Sequence, residues 1–129
     1  MTPDGYLLMA LGSALGAMAR YLVNLGVAEA LGTRFPWGTL AVNLSGALLL
    51  GLLVGLPGFE PGSDRWLLFV IGLCGSYTTV SAFSLHCFDL IRIGRPLAAA
   101  ANVAASTLGC LAAVWTGLTL SAVLRGVGA

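Results

Sequence analysis

The sequence predicts an all-α integral membrane protein with four transmembrane helices per chain, the third of them broken in mid-membrane. Three observations predict it. Of 129 residues, 58% are hydrophobic and only 9% charged, against about 25% charged in soluble domains. Mean hydropathy is +0.96, more apolar surface than a soluble fold of this size can hide. The apolar residues fall into four stretches, each near or above the ~20 residues needed to cross ~30 Å of hydrocarbon at 1.5 Å per residue. The whole chain, residues 1–129, reads as a single domain.

The first stretch covers about 5–27. It lacks a positive leading segment and is too long for the apolar part of a signal peptide, so it reads as a span. Gly12, Gly16 and Ala19 place small residues at helix-packing intervals. In lipid, such small residues let helix backbones approach, because lipid tails are as apolar as leucine. Arg20 is the one charge clearly inside a span. It lies roughly 10 Å from the span's end, within reach of the headgroups for a snorkelling side chain.

The second stretch, about 38–56, carries Asn43 one turn beyond Thr39. An asparagine amide in hydrocarbon must be hydrogen-bonded or wet, at a cost of several kcal/mol otherwise. Two readings stay open: an interhelical bond, or a donor lining an ion path. Gly46, Gly51 and Gly55 again mark close packing.

The third stretch, about 66–90, contains CGSYTTVSAF at residues 74–83. Glycines and hydroxyls make a poor helix interior. A broken helix at that depth is tolerated only where it is buried in protein or lines a cavity, and such breaks commonly bind ions. Beyond the break, Tyr77, Ser81, Ser84 and Phe88 recur at 4-3-4 spacing, with Phe83 beside them. One face therefore carries hydroxyls next to an aromatic. His86 lies near the span's end and reads as an interfacial or vestibule residue.

The fourth stretch, about 97–124, places Asn102, Ser106, Gly109, Ala113 and Thr116 on one face. That stripe is either a packing seam or a second wall of polar donors. The connections AEALGTRFPW, PGFEPGSD and RIGRP hold four of the five prolines and most of the charges.

Several function classes are excluded by what the spans hold. A net charge of +1 gives no basic patch for nucleic acid. No span interior carries Asp or Glu, which argues against proton coupling and against acidic cation filters. Cys74, Cys87 and Cys110 have no ligand spacing and read as small buried hydrophobes. Nothing resembles an acid–base or nucleophile constellation. Neutral donors dominate instead: an amide, hydroxyls and freed backbone N–H groups. Such a lining suits an anion. Arg65 and Arg125 fall on one side of the membrane, and Arg34, Arg92 and Arg95 on the other. A bias this weak is compatible with insertion in both orientations.

With these residues in view, the sequence resembles the Fluc/CrcB family of small fluoride channels. Three stretches carry the likeness: GSALGAMARY at 12–21, FPWGTLAVNLSGALLLG at 35–51 and GLCGSYTTVSAFS at 72–84. The resemblance implies a dual-topology homodimer, antiparallel in the membrane, with two pores at the interface. It implies a structural Na⁺ at the centre, held by backbone carbonyls at Gly75 and Thr78. It assigns Asn43 and the nearby Thr39 to the fluoride pore, with Phe83 as an aromatic edge and Ser81 and Ser84 as a hydroxyl track. Arg20 is the matching vestibule arginine. The implied role is passive export of F⁻ across a prokaryotic cell membrane, relieving fluoride toxicity.

The chain departs from the family pattern at Val80, where the family has its first pore phenylalanine, and at Ser76, Ala82 and Cys110. Val80 offers no aromatic edge. That departure motivates an alternative, a non-conducting subunit that pairs with a heterologous partner. A small multidrug transporter is a further alternative, but it would carry a glutamate in its first span, where only Asp4 stands at the start.

Overall fold

A computed structural model describes residues 3–127. Its elements follow in the order α1 (Pro3–Leu31), α2 (Trp37–Gly55), a π-helix π1 (Trp66–Cys74), α3 (Gly75–Tyr77), α4 (Val80–Arg92) and α5 (Pro96–Val127). Four helical segments are long and apolar enough to cross a membrane: Pro3–Leu31, Trp37–Gly55, Trp66–Arg92 and Pro96–Gly126. This is a multi-pass membrane protein. α1 runs beyond its apolar stretch, with start and stop signals at its ends, and α5 begins at a proline start signal.

Those signals are local. Pro3 opens α1 with Asp4 in its first turn; the missing proline N–H costs nothing there, and the carboxylate suits the positive end of the dipole. Gly32 ends α1 at φ 76°, its N–H on the Ala28 carbonyl at 2.9 Å. Gly94 ends α4 at φ 77°, with Gly94 N–H on Ile91 O and Arg95 N–H on Leu90 O. This is a Schellman closure, in which a left-handed residue that only glycine adopts cheaply satisfies the last carbonyls. Pro96 then opens α5.

Two close-packed pairs form the frame. In the first, α1 lies on π1: a Cβ on Gly12 would strike the Leu68 carbonyl oxygen, and one on Gly16 the Leu73 carbonyl oxygen. In the second, α2 lies on α5: a Cβ on Gly51 would strike the Val114 carbonyl oxygen, and one on Gly117 the Leu48 carbonyl oxygen. Gly12, Gly16 and Gly51, noted in the sequence, and Gly117 thus bring backbone against backbone, where dispersion contacts replace the missing hydrophobic drive.

The interior is polar as much as apolar. Thr39, Thr79, Asn102, Ser106 and Ser121 are buried alongside Val42, Val70, Cys74 and Leu90. Large apolar side chains such as Leu7, Leu15, Leu111 and Trp115 face outward. That is the expected inversion when the surroundings are hydrocarbon. Short polar links tie α4 in: Thr39 Oγ1 meets His86 Nδ1 at 3.1 Å, and Asn102 Nδ2 donates to Cys87 Sγ at 3.2 Å.

Candidate functional site

The site is built around two residues that are not helical. Thr78 has φ −76° and ψ 159°, and Thr79 has φ −152° and ψ 122°. Both are extended, so α3 stops and α4 begins afresh inside the segment Trp66–Arg92. The end of α3 is held by Thr78, whose N–H and Oγ1 both donate to the Cys74 carbonyl, at 3.1 and 3.0 Å. The start of α4 is capped by Thr79, whose Oγ1 accepts from the Ala82 N–H at 3.2 Å. A threonine in extended conformation just ahead of a helix is a normal N-cap.

Asn43 binds this junction from α2. Its Oδ1 accepts from the Thr79 N–H at 2.8 Å, and its Nδ2 donates to the Thr79 carbonyl at 3.0 Å. Backbone groups fix the amide's orientation, because an N–H can only donate and a C=O only accept. The side chain mimics a paired strand and satisfies both polar groups of one extended residue. Nδ2 carries two hydrogens; one is used here, and the other remains for something else. The first sequence reading of Asn43 is thus observed: it bonds the junction between α3 and α4 from α2.

Around Asn43 lies a cavity of about 310 Å³. Asn43, Thr78, Thr79, Val80 and Phe83 form one side, and Ser106, Thr107 and Cys110 of α5 form the other. No charged side chain lines it. At this point the negative end of α3 meets the positive end of α4, whose first N–H groups have no partner within their own helix. Next to it, the Tyr77 hydroxyl and Ser45 Oγ are 2.8 Å apart. Ser45 donates its own proton to the Ala41 carbonyl at 2.7 Å, so Tyr77 is the donor in that pair.

A second, larger cavity of about 550 Å³ opens at the start of α2. Asn24, Arg34, Thr39, His86, Asp89 and Arg95 are among its lining residues. Arg95 Nη1 donates to the Arg34 carbonyl at 2.6 Å, drawing the two cationic loops together. Thr39 and Asn43 lie one helical turn apart on α2, so about 6 Å of rise separates the two cavities along that helix.

The candidate residues from the sequence divide among these places. Asn43, Thr78, Val80 and Phe83 share the smaller cavity. Thr39 lies in the larger one, bonded to His86. Ser81 and Ser84 are exposed on α4, and Ser81 Oγ sits 3.2 Å from Thr79 Oγ1. Gly75 is exposed at the end of the first half of the third span. Arg20 does not line either cavity, although its carbonyl holds Asn24, which lines the larger one. Sequence reasoning did not single out Thr79, the partner of Asn43, or Thr107. The signal for Thr79 was present: a hydroxyl three residues ahead of Ala82 is a cap signature once the break is placed. For Thr107 there was none, because it lies one position off the periodic stripe.

Comparison with known proteins identifies the family. Residues 7–118 match the family described as CrcB-like protein, Camphor Resistance (CrcB). A protein of Rhodospirillum rubrum named fluoride-specific ion channel FluC is 45% identical over 117 residues, covering 87% of this chain and 90% of its own length. A FluC protein of Methylocella silvestris is 46% identical over 116 residues, with coverage of 87% and 88%. One of Bradyrhizobium diazoefficiens, named fluoride-specific ion channel FluC 2, is 45% identical over 128 residues, with coverage of 95% and 93%. The match spans all four membrane-crossing helices, and the chain belongs to the CrcB family.

Proposed function

We propose that this chain forms a fluoride channel, carrying F⁻ passively out across the cell membrane of a prokaryote. The observation that carries the reading is the uncharged cavity in which Asn43, the Thr78–Thr79 break, Phe83 and the α5 hydroxyls converge. Fluoride is small and strongly hydrated, so a dry bore must replace its water with several donors yet release the ion. Asn43 supplies its spare N–H, Ser106 and Thr107 supply hydroxyls, and Phe83 supplies the positive edge of its ring. Ser81 and Ser84 extend the donors along α4. Thr39, and Arg20 nearer the membrane surface, serve the approach. A carboxylate would repel the ion, and none lines the cavity.

Two copies inserted in opposite orientations complete the pore. The support is the outward face of α4, where Val80 is 78% exposed beside a cavity that it lines, with Phe88 and Ile91 beyond it. An interface there would close the open side of the groove. The carbonyls of Gly75 and Thr78 would hold a structural Na⁺. The chain's chemistry fits such an ion: hard oxygen donors, at the negative end of a helix, without a side-chain charge. Such an ion would supply positive charge that offsets carbonyl dipoles otherwise hostile to an anion, and this chain contributes the oxygens and holds their direction.

Efflux from liposomes containing the purified chain, followed with a fluoride electrode, tests the reading. Rapid fluoride efflux with chloride retained is expected. Chloride passing as fast as fluoride would overturn it. Val80 supports a second reading, in which the partner is a heterologous subunit that carries the missing aromatic. No flux from this chain alone, restored by Val80→Phe, would select that one.

A further inference from the structure

Thr79 and Asn43 divert the two backbone donors that would otherwise occupy the carbonyls of Gly75 and Thr78. In a continuous α-helix each N–H closes on the carbonyl four residues earlier. The Thr79 N–H would therefore close on Gly75, and the Ala82 N–H on Thr78. Neither does. The Thr79 N–H donates to Asn43 Oδ1 at 2.8 Å. The Ala82 N–H donates to Thr79 Oγ1 at 3.2 Å. Two side chains, one from α2 and one within the break, thus each leave one main-chain oxygen without its helical donor. Unpartnered carbonyls inside a membrane protein call for a ligand. The neighbouring carbonyls give a contrast: Cys74 accepts twice from Thr78, and Thr79 accepts from Asn43.

We infer that Thr79 and Asn43 are positioning residues for a cation, keeping the Gly75 and Thr78 carbonyls open by taking their helical donors. Neither side chain needs to touch the ion. The inference rests on the proposed Na⁺ site and goes beyond it by naming what makes the site. It also gives Asn43 two separable duties, one toward the break through Oδ1 and one toward the anion through the spare N–H.

The test reads sodium binding rather than fluoride flux. Thermal unfolding of the purified protein in detergent is followed in sodium chloride and in N-methylglucamine chloride of equal ionic strength. A cation that binds only the folded protein raises the melting temperature. The wild-type chain is expected to show that rise, and Thr79→Ser to keep it, because serine retains the capping oxygen. In Thr79→Val the Ala82 N–H is free to fall back on the Thr78 carbonyl. The sodium concentration for half-maximal stabilisation should then rise about tenfold or more, the loss expected for one oxygen ligand. Asn43→Ala provides an independent arm through the Gly75 carbonyl, with the same expected loss, should the valine variant not fold. An unchanged sodium response in Thr79→Val or in Asn43→Ala overturns the inference, as does Thr79→Ser behaving like Thr79→Val. A wild-type chain indifferent to sodium overturns the cation reading itself, and this inference with it.

Discussion

The two halves of the third span are built on opposite terms. The first, residues 66–77, is pressed backbone to backbone against α1, with Val70 and Cys74 buried and Gly72 meeting the Met9 carbonyl. The second, α4, buries only Leu90 and leaves Val80, Leu85, Phe88 and Ile91 outward. The first half is finished within one chain. The second leaves an apolar face outward. A break whose two sides differ in this way fixes one helix end against α1 and leaves the other open on one side, and the proposed second copy would cover that side and complete the site.

The largest expected effect comes from breaking the finished half. Gly16→Val would push a branched side chain into the Leu73 carbonyl and the Tyr77 N–H, both backbone and unable to yield. Overpacking typically costs about 1–3 kcal/mol, and more where neither neighbour moves. Thermal unfolding in detergent should show a large loss of stability, whereas Leu85→Ala on α4 should change the stability of the single chain little. Equal losses at both positions would abolish the distinction between the halves.

Next comes Asn43→Ala, at the seam. It removes the donor proposed for the anion, releases the Thr79 N–H toward the Gly75 carbonyl and leaves the Thr79 carbonyl without its partner. A hydrogen bond to a charged group is worth about 1.5–3 kcal/mol, so losing the one proposed for the anion should lower fluoride efflux roughly ten- to a hundredfold. Near-normal efflux would take Asn43 out of the path. A smaller effect is expected for Phe83→Ala, which lines the same cavity but offers only a ring edge. That contact is worth about 0.5–1.5 kcal/mol, a few-fold to about tenfold in flux. Phe83→Leu should be as impaired as alanine if the ring edge, and not bulk, is what the anion meets.

The asymmetry between the halves also explains what was legible in the sequence. The spans could be read because hydrocarbon demands length and apolarity, which are local properties. Gly12, Gly16, Gly51 and Asn43 stood out because each is costly in lipid unless something answers it. The break stood out because glycine and hydroxyls cluster at 74–81. Three things were not legible. The π-winding of residues 66–74 leaves no mark, since WLLFVIGLC reads equally well as an α-helix. The bonds of Asn43 to Thr79 and of Thr39 to His86 join α2 to residues 36 and 47 positions away, and spacing within one helix cannot foresee them. Thr107 reaches the cavity through the crossing of α5 over α2, a tertiary fact.

The smallest expected effect lies outside the membrane, where the finished half begins. Ser63 Oγ accepts from the Trp66 N–H at 3.2 Å, just ahead of π1. The loop ahead of it turns at Gly58, whose N–H donates to Glu60 Oε1 at 3.1 Å. Backbone N–H groups of Glu60 and Gly58, with the Arg65 charge adding to them, hold the Glu60 carboxyl below its ordinary range. A lowered folded-state value means that the carboxylate favours the folded loop above the ordinary glutamate range. That contribution is lost as pH falls through the lowered value. The side chain is fully exposed, so solvent and salt screen nearly all of it. Glu60→Gln should therefore leave the melting temperature unchanged at neutral pH, and only acid titration at low salt should separate it from wild type. A substantial loss at neutral pH would mean that the anchoring of the first half reaches out into the loop, instead of resting on the glycine seam with α1.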